Sequence, residues 1–176
     1  MIAAAFVLAT TFSGVAASAW SAENDATPAV AEAPAAITAL QNLREHAADL
    51  AIRAMGLIGI KYKYGGNSPE NGLDCSGLVR YVFKESRGAN LPRTTEEISR
   101  IGQKVESRDL QPGDLVFYHT LRHAFSHVGI YLGDNKFIHS PAAGGAIRIE
   151  SMDLAYWKKR FNGARRINEP DDKAAH

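Results

Sequence analysis

A chain of 176 residues has room for one domain of ordinary size with flexible ends. Hydrophobic residues make up 45% and charged residues 22%, a balance that builds a core without staples and excludes a disordered chain. The formal net charge is +1 and the basic residues beyond Arg44 are scattered, so no electrostatic footprint points to nucleic acid or an acidic membrane surface.

Met1 to Ala19 is an uncharged apolar run that closes on Ala17-Ser18-Ala19, the small-x-small pattern of a cleaved export leader. Its Ala, Ser, Thr and Gly content argues against a spanning helix of about 20 residues. No Lys or Arg precedes the run, so Met1 can lie downstream of the true start. The expected organisation is a leader over 1–22, a flexible Ala/Pro/Glu-rich linker over 23–36, a folded domain over 37–167 and a disordered polar tail over 168–176. No cysteine directly follows the leader, so no lipid anchor is expected.

Ile37, Leu40, Leu43, Ala47, Leu50, Ala54 and Leu57 recur at three- and four-residue steps and predict a helix with one buried face. Tyr62 to Gly72 is glycine-rich and reads as a loop. Asp74 stands at an N-cap position before Leu78, Val79, Val82 and Phe83, with Gly88 as the stop, so Cys75 falls in the first turn of a helix. Thr94 and Glu97 have capping-box spacing and announce a short helix ended by Gly102.

The pattern then changes to strands: 115–118, 128–132, 136–139, 146–150 and 164–167, with a hairpin turn at Gly133-Asp134-Asn135 and a short helix capped by Ser151 running through Trp157. Helices followed by antiparallel strands define an α+β domain, the helices on one side of the sheet.

Cys75 is the single cysteine, so it has no partner for an internal disulfide. A helix N-terminus favours thiolate over thiol, and its unpaired N–H groups can receive an oxyanion. The competing reading is a small buried hydrophobe. The helix-tip position, the small neighbours Ser76 and Gly77, and the retention of a thiol in an exported chain weigh against it.

A thiol nucleophile needs a proton acceptor, and histidine titrates in the right range. Of six histidines, His46 lies on the first helix and His176 on the tail. His127 begins one strand and His139 ends the next, and a hairpin centred on Gly133 would set them opposite each other, one imidazole orienting the other. His119, His123 and His127 are four apart, as zinc ligands on a helix would be. They fall on strands and a loop, without a His-Glu-x-x-His arrangement, so no metal or other cofactor is expected.

These blocks resemble the NlpC/P60 cysteine peptidases, papain-like enzymes that cleave peptidoglycan stem peptides. The likeness is carried by Gly59-Ile60-Lys61-Tyr62-Lys63-Tyr64-Gly65-Gly66, by Asp74-Cys75-Ser76-Gly77-Leu78-Val79, by Ser126-His127-Val128-Gly129-Ile130-Tyr131 and by Phe137-Ile138-His139, in that order, with a counterpart for Gln111-Pro112-Gly113-Asp114-Leu115. The resemblance implies Cys75 as nucleophile, His127 as general base and then acid, and His139 as the group orienting His127. It implies that Tyr62 helps the Cys75 backbone N–H hold the oxyanion, and that Asp74 and Ser76 line the substrate groove, although N-capping alone would explain Asp74.

The implied protein is an exported bacterial endopeptidase of the periplasm or cell wall. It would act as a monomer on stem peptides or cross-links through an acyl-enzyme. An acyltransferase or amidase on the same fold, or a non-catalytic wall-binding protein, are the alternatives. With His139 as the third member, the orienting contact brings no fixed negative charge.

Overall fold

Asp74 and Gly88 define the helix on which the site is built. The computed structural model describes residues 29–120, 124–142 and 144–167. In it Asp74 is extended and its Oδ1 accepts from the Gly77 N–H at 2.7 Å. The helix Cys75–Arg87 ends where Gly88 turns left-handed (φ 65°), with Gly88 N–H donating to Lys84 O and Ala89 N–H to Phe83 O. Leu78, Val79, Val82 and Phe83 are fully buried along one face, each contributing about 1.5–3 kcal/mol of hydrophobic stabilisation.

In chain order the elements are α1 (Ala29–Met55), β1 (Asn67–Ser68), β2 (Gly72–Leu73), α2 (Cys75–Arg87) and α3 (Thr95–Ile98). There follow β3 (Gln103–Val105), a 3-10 turn at Ser107–Asp109, β4 (Leu115–Tyr118), β5 (His127–Gly133), β6 (Lys136–His139), β7 (Arg148–Ser151), α4 (Ala155–Lys158) and β8 (Phe161–Arg166). Six strands form one antiparallel sheet in the order β3-β8-β4-β5-β6-β7. Side chains alternate across it. Leu115, Phe117, Val128, Ile130 and Ile138 pack with α1 and α2. Val116, Tyr118, Tyr131, Phe137 and Ala164 pack on the other face under Trp157 of α4.

Several expectations need correction. The helix expected from Ile37 begins at Ala29, inside the segment read as linker, where five of eight residues are Ala, the best helix former. Ile37 is exposed; among the described side chains the buried face starts around Ala47, with Leu50 and Ala54 inside. The glycine-rich loop holds the small β1–β2 hairpin. The helix capped by Thr94 ends at Ile98, before Gly102.

Ser151 closes β7 and its Oγ accepts from Asp153 N–H; the residue capping α4 is Leu154, without a side-chain bond. The strand expected over 146–150 runs from Arg148 to Ser151, and the one expected from Ala164 starts at Phe161. The leader over 1–22, the first part of the linker and the tail from Asn168 lie outside the described residues. Among the described residues no helix is long and apolar enough to cross a membrane.

The β5–β6 hairpin differs in register from the expected pairing. Asp134 and Asn135 both have positive φ (50° and 53°), forming a two-residue turn closed by Gly133 opposite Lys136. A shift between Tyr131 and Gly133 then pairs Tyr131 with Phe137 and Ile130 with Ile138. His139 therefore comes level with Gly129, two residues along from His127 on the same face, and the two histidines meet diagonally.

Candidate active site

Cys75 is the first residue of α2, where the backbone N–H has no intrahelical acceptor. Its Sγ lies 3.7 Å from Thr95 Oγ1, with the Val128 and Ser76 N–H groups near enough to favour the thiolate. The Val128 contact places the sulfur at the start of β5, beside the backbone of His127. Thr95 is held there by a complete capping box, Thr94 Oγ1 accepting from Glu97 N–H and Glu97 Oε2 from Thr94 N–H.

Burial pushes the Cys75 thiol above its ordinary value and the nearby Asp74 charge adds to the rise, while Thr95, Val128 and Ser76 pull the other way. The helix tip alone would favour thiolate; here burial outweighs it, and the resting group is a thiol.

His127 Nε2 and His139 Nδ1 are 2.8 Å apart, with the rings edge to face at 87°. Trp157 stacks on His127 and meets His139 edge-on, so one indole covers both imidazoles. Both side chains are buried. Desolvation pushes both well below the usual histidine value, helped by mutual repulsion at His127 and by Arg148 at His139. At rest the site is neutral thiol and neutral imidazoles. His127 Nε2 is engaged with His139, which leaves Nδ1 as the ring nitrogen outside that contact.

Asp74, Ser76 and Arg93 form one network. Arg93 Nη2 donates to Asp74 Oδ2 at 2.6 Å and Nη1 to Ser76 Oγ at 2.6 Å; Ser76 Oγ donates to Asp74 Oδ1, and Gly65 N–H to Asp74 Oδ2. Burial opposes the Asp74 charge, but Arg93, Gly77 N–H and Ser76 outweigh it and hold the carboxyl below its usual range. The loop holding Tyr62 docks tightly on the tip of α2: a Cβ at Gly77 would come within 2.0 Å of Gly66 O. Tyr62 is half-buried, and burial together with the nearness of Cys75 and Asp74 raises its hydroxyl's pKa, keeping it a donor.

All six residues singled out from the sequence thus surround one locus. Arg93, Thr95, Trp157 and Glu150 were not among them. Trp157 and Glu150 line, with His127, His139, Arg148 and Tyr156, a cavity of ≈ 440 Å³ on the histidine side of the site. Among the described residues no group of three or more His, Cys, Asp or Glu could hold a metal ion, and His123 lies outside them.

A cysteine at a helix tip, set against the strand ends of an antiparallel sheet that carries paired histidines, is the arrangement of the papain-like α+β fold. The chain belongs to the NlpC/P60 family, whose model matches residues 59–166. It is 42% identical over 121 residues to the murein DD-endopeptidase MepH of Escherichia coli K12, covering 67% of this chain and 45% of the relative. It is 45% identical over 109 residues to the murein DD-endopeptidase MepS/murein LD-carboxypeptidase of the same strain, covering 62% and 56%. The chain thus spans about half the length of these curated relatives. A crystal structure of an NlpC/P60 family protein from Bacillus cereus ATCC 10987 superposes with TM-score 0.64 at 34% identity, covering 68% of this chain and 39% of that one. The NlpC/P60 domain of the peptidoglycan hydrolase SagA superposes with TM-score 0.61 at 29% identity, covering 69% and 98%.

Proposed function

We propose that the protein is an exported cysteine endopeptidase acting on amide bonds in peptidoglycan stem peptides or their cross-links. The observation that carries this reading is the 2.8 Å contact between His127 and His139 beside a helix-tip cysteine. The printed names of the relatives, murein endopeptidases, support the substrate class.

In this reading the Cys75 thiol gives its proton to His127 Nδ1 as the sulfur attacks the scissile carbonyl carbon. The oxyanion is received by the Cys75 backbone N–H and the Tyr62 hydroxyl. Collapse of the tetrahedral adduct breaks the C–N bond, and the leaving amine takes the proton from His127. Water then gives a proton to His127, attacks the thioester carbonyl and releases the acid, and the proton returns to Cys75. His139 orients His127 throughout. Asp74 and Ser76, clamped by Arg93, wall the groove beside the nucleophile.

The test is digestion of purified peptidoglycan by the wild type beside Cys75→Ala, with products identified by mass spectrometry. New stem-peptide fragments that disappear in the variant are expected, and their masses identify the bond. A folded wild type that binds the wall and cuts nothing would overturn the reading.

A further inference from the structure

We propose that Glu150 is a positioning residue that fixes the tautomers of both histidines, extending the line Cys75–His127–His139 by a carboxylate. The inference rests on the site reading above. Glu150 sits on β7, next to β6 in the sheet, and its Oε2 lies 3.5 Å from His139 Nε2. That nitrogen is buried and has no hydrogen-bond partner among the described residues. The carboxylate is itself held in place: Trp157 Nε1 donates to Oε2, and Arg148 Nε donates to Oε1 at 2.5 Å. Glu150 is thus aimed at the buried, unpartnered nitrogen of the histidine pair, at a distance that shortens to a hydrogen bond with a small movement.

The consequence follows from donor and acceptor counting. A neutral imidazole carries one N–H and one lone pair, and a carboxylate only accepts. For His127 Nδ1 to take a proton from Cys75, Nδ1 must be bare, so the proton of neutral His127 is on Nε2. That N–H must donate to His139 Nδ1, which must therefore be a lone pair, leaving the His139 proton on Nε2, facing Glu150. The opposite arrangement, with His139 donating from Nδ1, would place a proton on His127 Nδ1 and remove the base. Nothing in the histidine pair itself chooses between the two. A carboxylate at His139 Nε2 does, because it rewards an N–H there and repels a lone pair. It also supplies the fixed negative charge that the imidazole pair lacks when His127 becomes imidazolium.

The groups facing Glu150 are Arg148 on its own strand, His139 on β6, His127 on β5, the buried hydroxyl of Tyr118 on β4, and the Trp157 N–H of α4. Arg148 is the one cation among them and draws on Oε1, leaving Oε2 for the histidine.

The chain has one cysteine, so alkylation reports on Cys75 alone and needs no substrate. In the full 176-residue chain, ¹⁵N imidazole shifts are expected to show His139 protonated on Nε2 at neutral pH, and iodoacetamide reactivity is expected to depend on His127. In Glu150→Gln, the amide oxygen serves Trp157 or Arg148 and the NH₂ meets His139. The His139 proton should move to Nδ1, alkylation near pH 7 should fall by roughly 10²-fold or more, and the acid limb of its pH profile should move to lower pH. Glu150→Asp keeps the charge and should keep the Nε2 proton and the position of that limb.

A His139 proton on Nδ1 in the wild type overturns the proposal without any variant, which keeps it testable if Glu150→Gln does not fold. So does a Gln variant indistinguishable from wild type, or Asp and Gln variants equally impaired. The site reading fails separately: a His127→Ala chain alkylated like wild type would reject His127 as the base whatever the tautomer of His139.

Discussion

At Gly129 a side chain would have nowhere to go: a Cβ there would lie 2.6 Å from Phe137 Cδ2 and 2.8 Å from Ile138 O. That bare position lets the β5 and β6 backbones close up and brings His139 level with it, within reach of His127. Gly129→Ala is expected to lower stability by about 1–3 kcal/mol, read from urea denaturation, and to lower activity further by spreading the histidines. A variant with unchanged midpoint would mean that β6 gives way easily.

The placement of Cys75 at a helix tip and of His127 against His139 was legible in the sequence, because a cap and a hairpin turn set them locally. Their protonation states were not. Helix-tip electrostatics is a local signal, whereas the burial that outweighs it comes from a core assembled by elements remote in the chain. Glu150 was illegible for the same reason: one glutamate among the strand residues gains meaning only when β7 lies beside β6 and Trp157 folds over both.

Among the elements, α2, β4 and β6 match the boundaries expected from the sequence, because caps and tight turns are decided by one or two residues close in the chain. Where no such punctuation exists the expectations slipped. The strands β1, β2 and β3 are two or three residues long and carry no period, and α4 starts after an uncapped Leu154. The β5–β6 register differs because the turn is centred on Asp134-Asn135 and not on Gly133, with a one-residue shift between Tyr131 and Gly133 that hydrophobic alternation does not reveal. The α2 stop gives a test at this scale. Gly88→Ala places a Cβ at φ 65° with no steric neighbour within 4 Å, so the cost is conformational alone, about 1–2 kcal/mol. Denaturation should show that loss with alkylation of Cys75 unchanged, since the far end of the helix does not touch the site. A change in alkylation would mean that α2 transmits strain along its length.

For the whole molecule, the buried neutral histidines link stability to acidity. His127 and His139 are both held below their ordinary value of 6.5, chiefly by burial. As pH falls below 6.5 the unfolded chain binds protons on these residues while the folded chain does not, so stability declines. Asp74, whose carboxyl is held below its usual range, adds a second decline at more acidic pH, again because the unfolded state binds the proton first. Urea midpoints measured from pH 7.5 down to pH 5 should therefore fall continuously. A flat profile would mean that the pair accepts a proton without leaving the folded state.

The same neutral pairing bears on how the lone cysteine survives. Peroxides and foreign disulfides attack the thiolate, and a sulfur oxidised past sulfenic acid is lost to the protein for good. Burial favours the protonated form of Cys75, so under the proposed mechanism the nucleophile would be chemically quiet between turnovers and roused only when His127 takes its proton. A chain with no second thiol to resolve an oxidised one is thereby defended in advance rather than by repair.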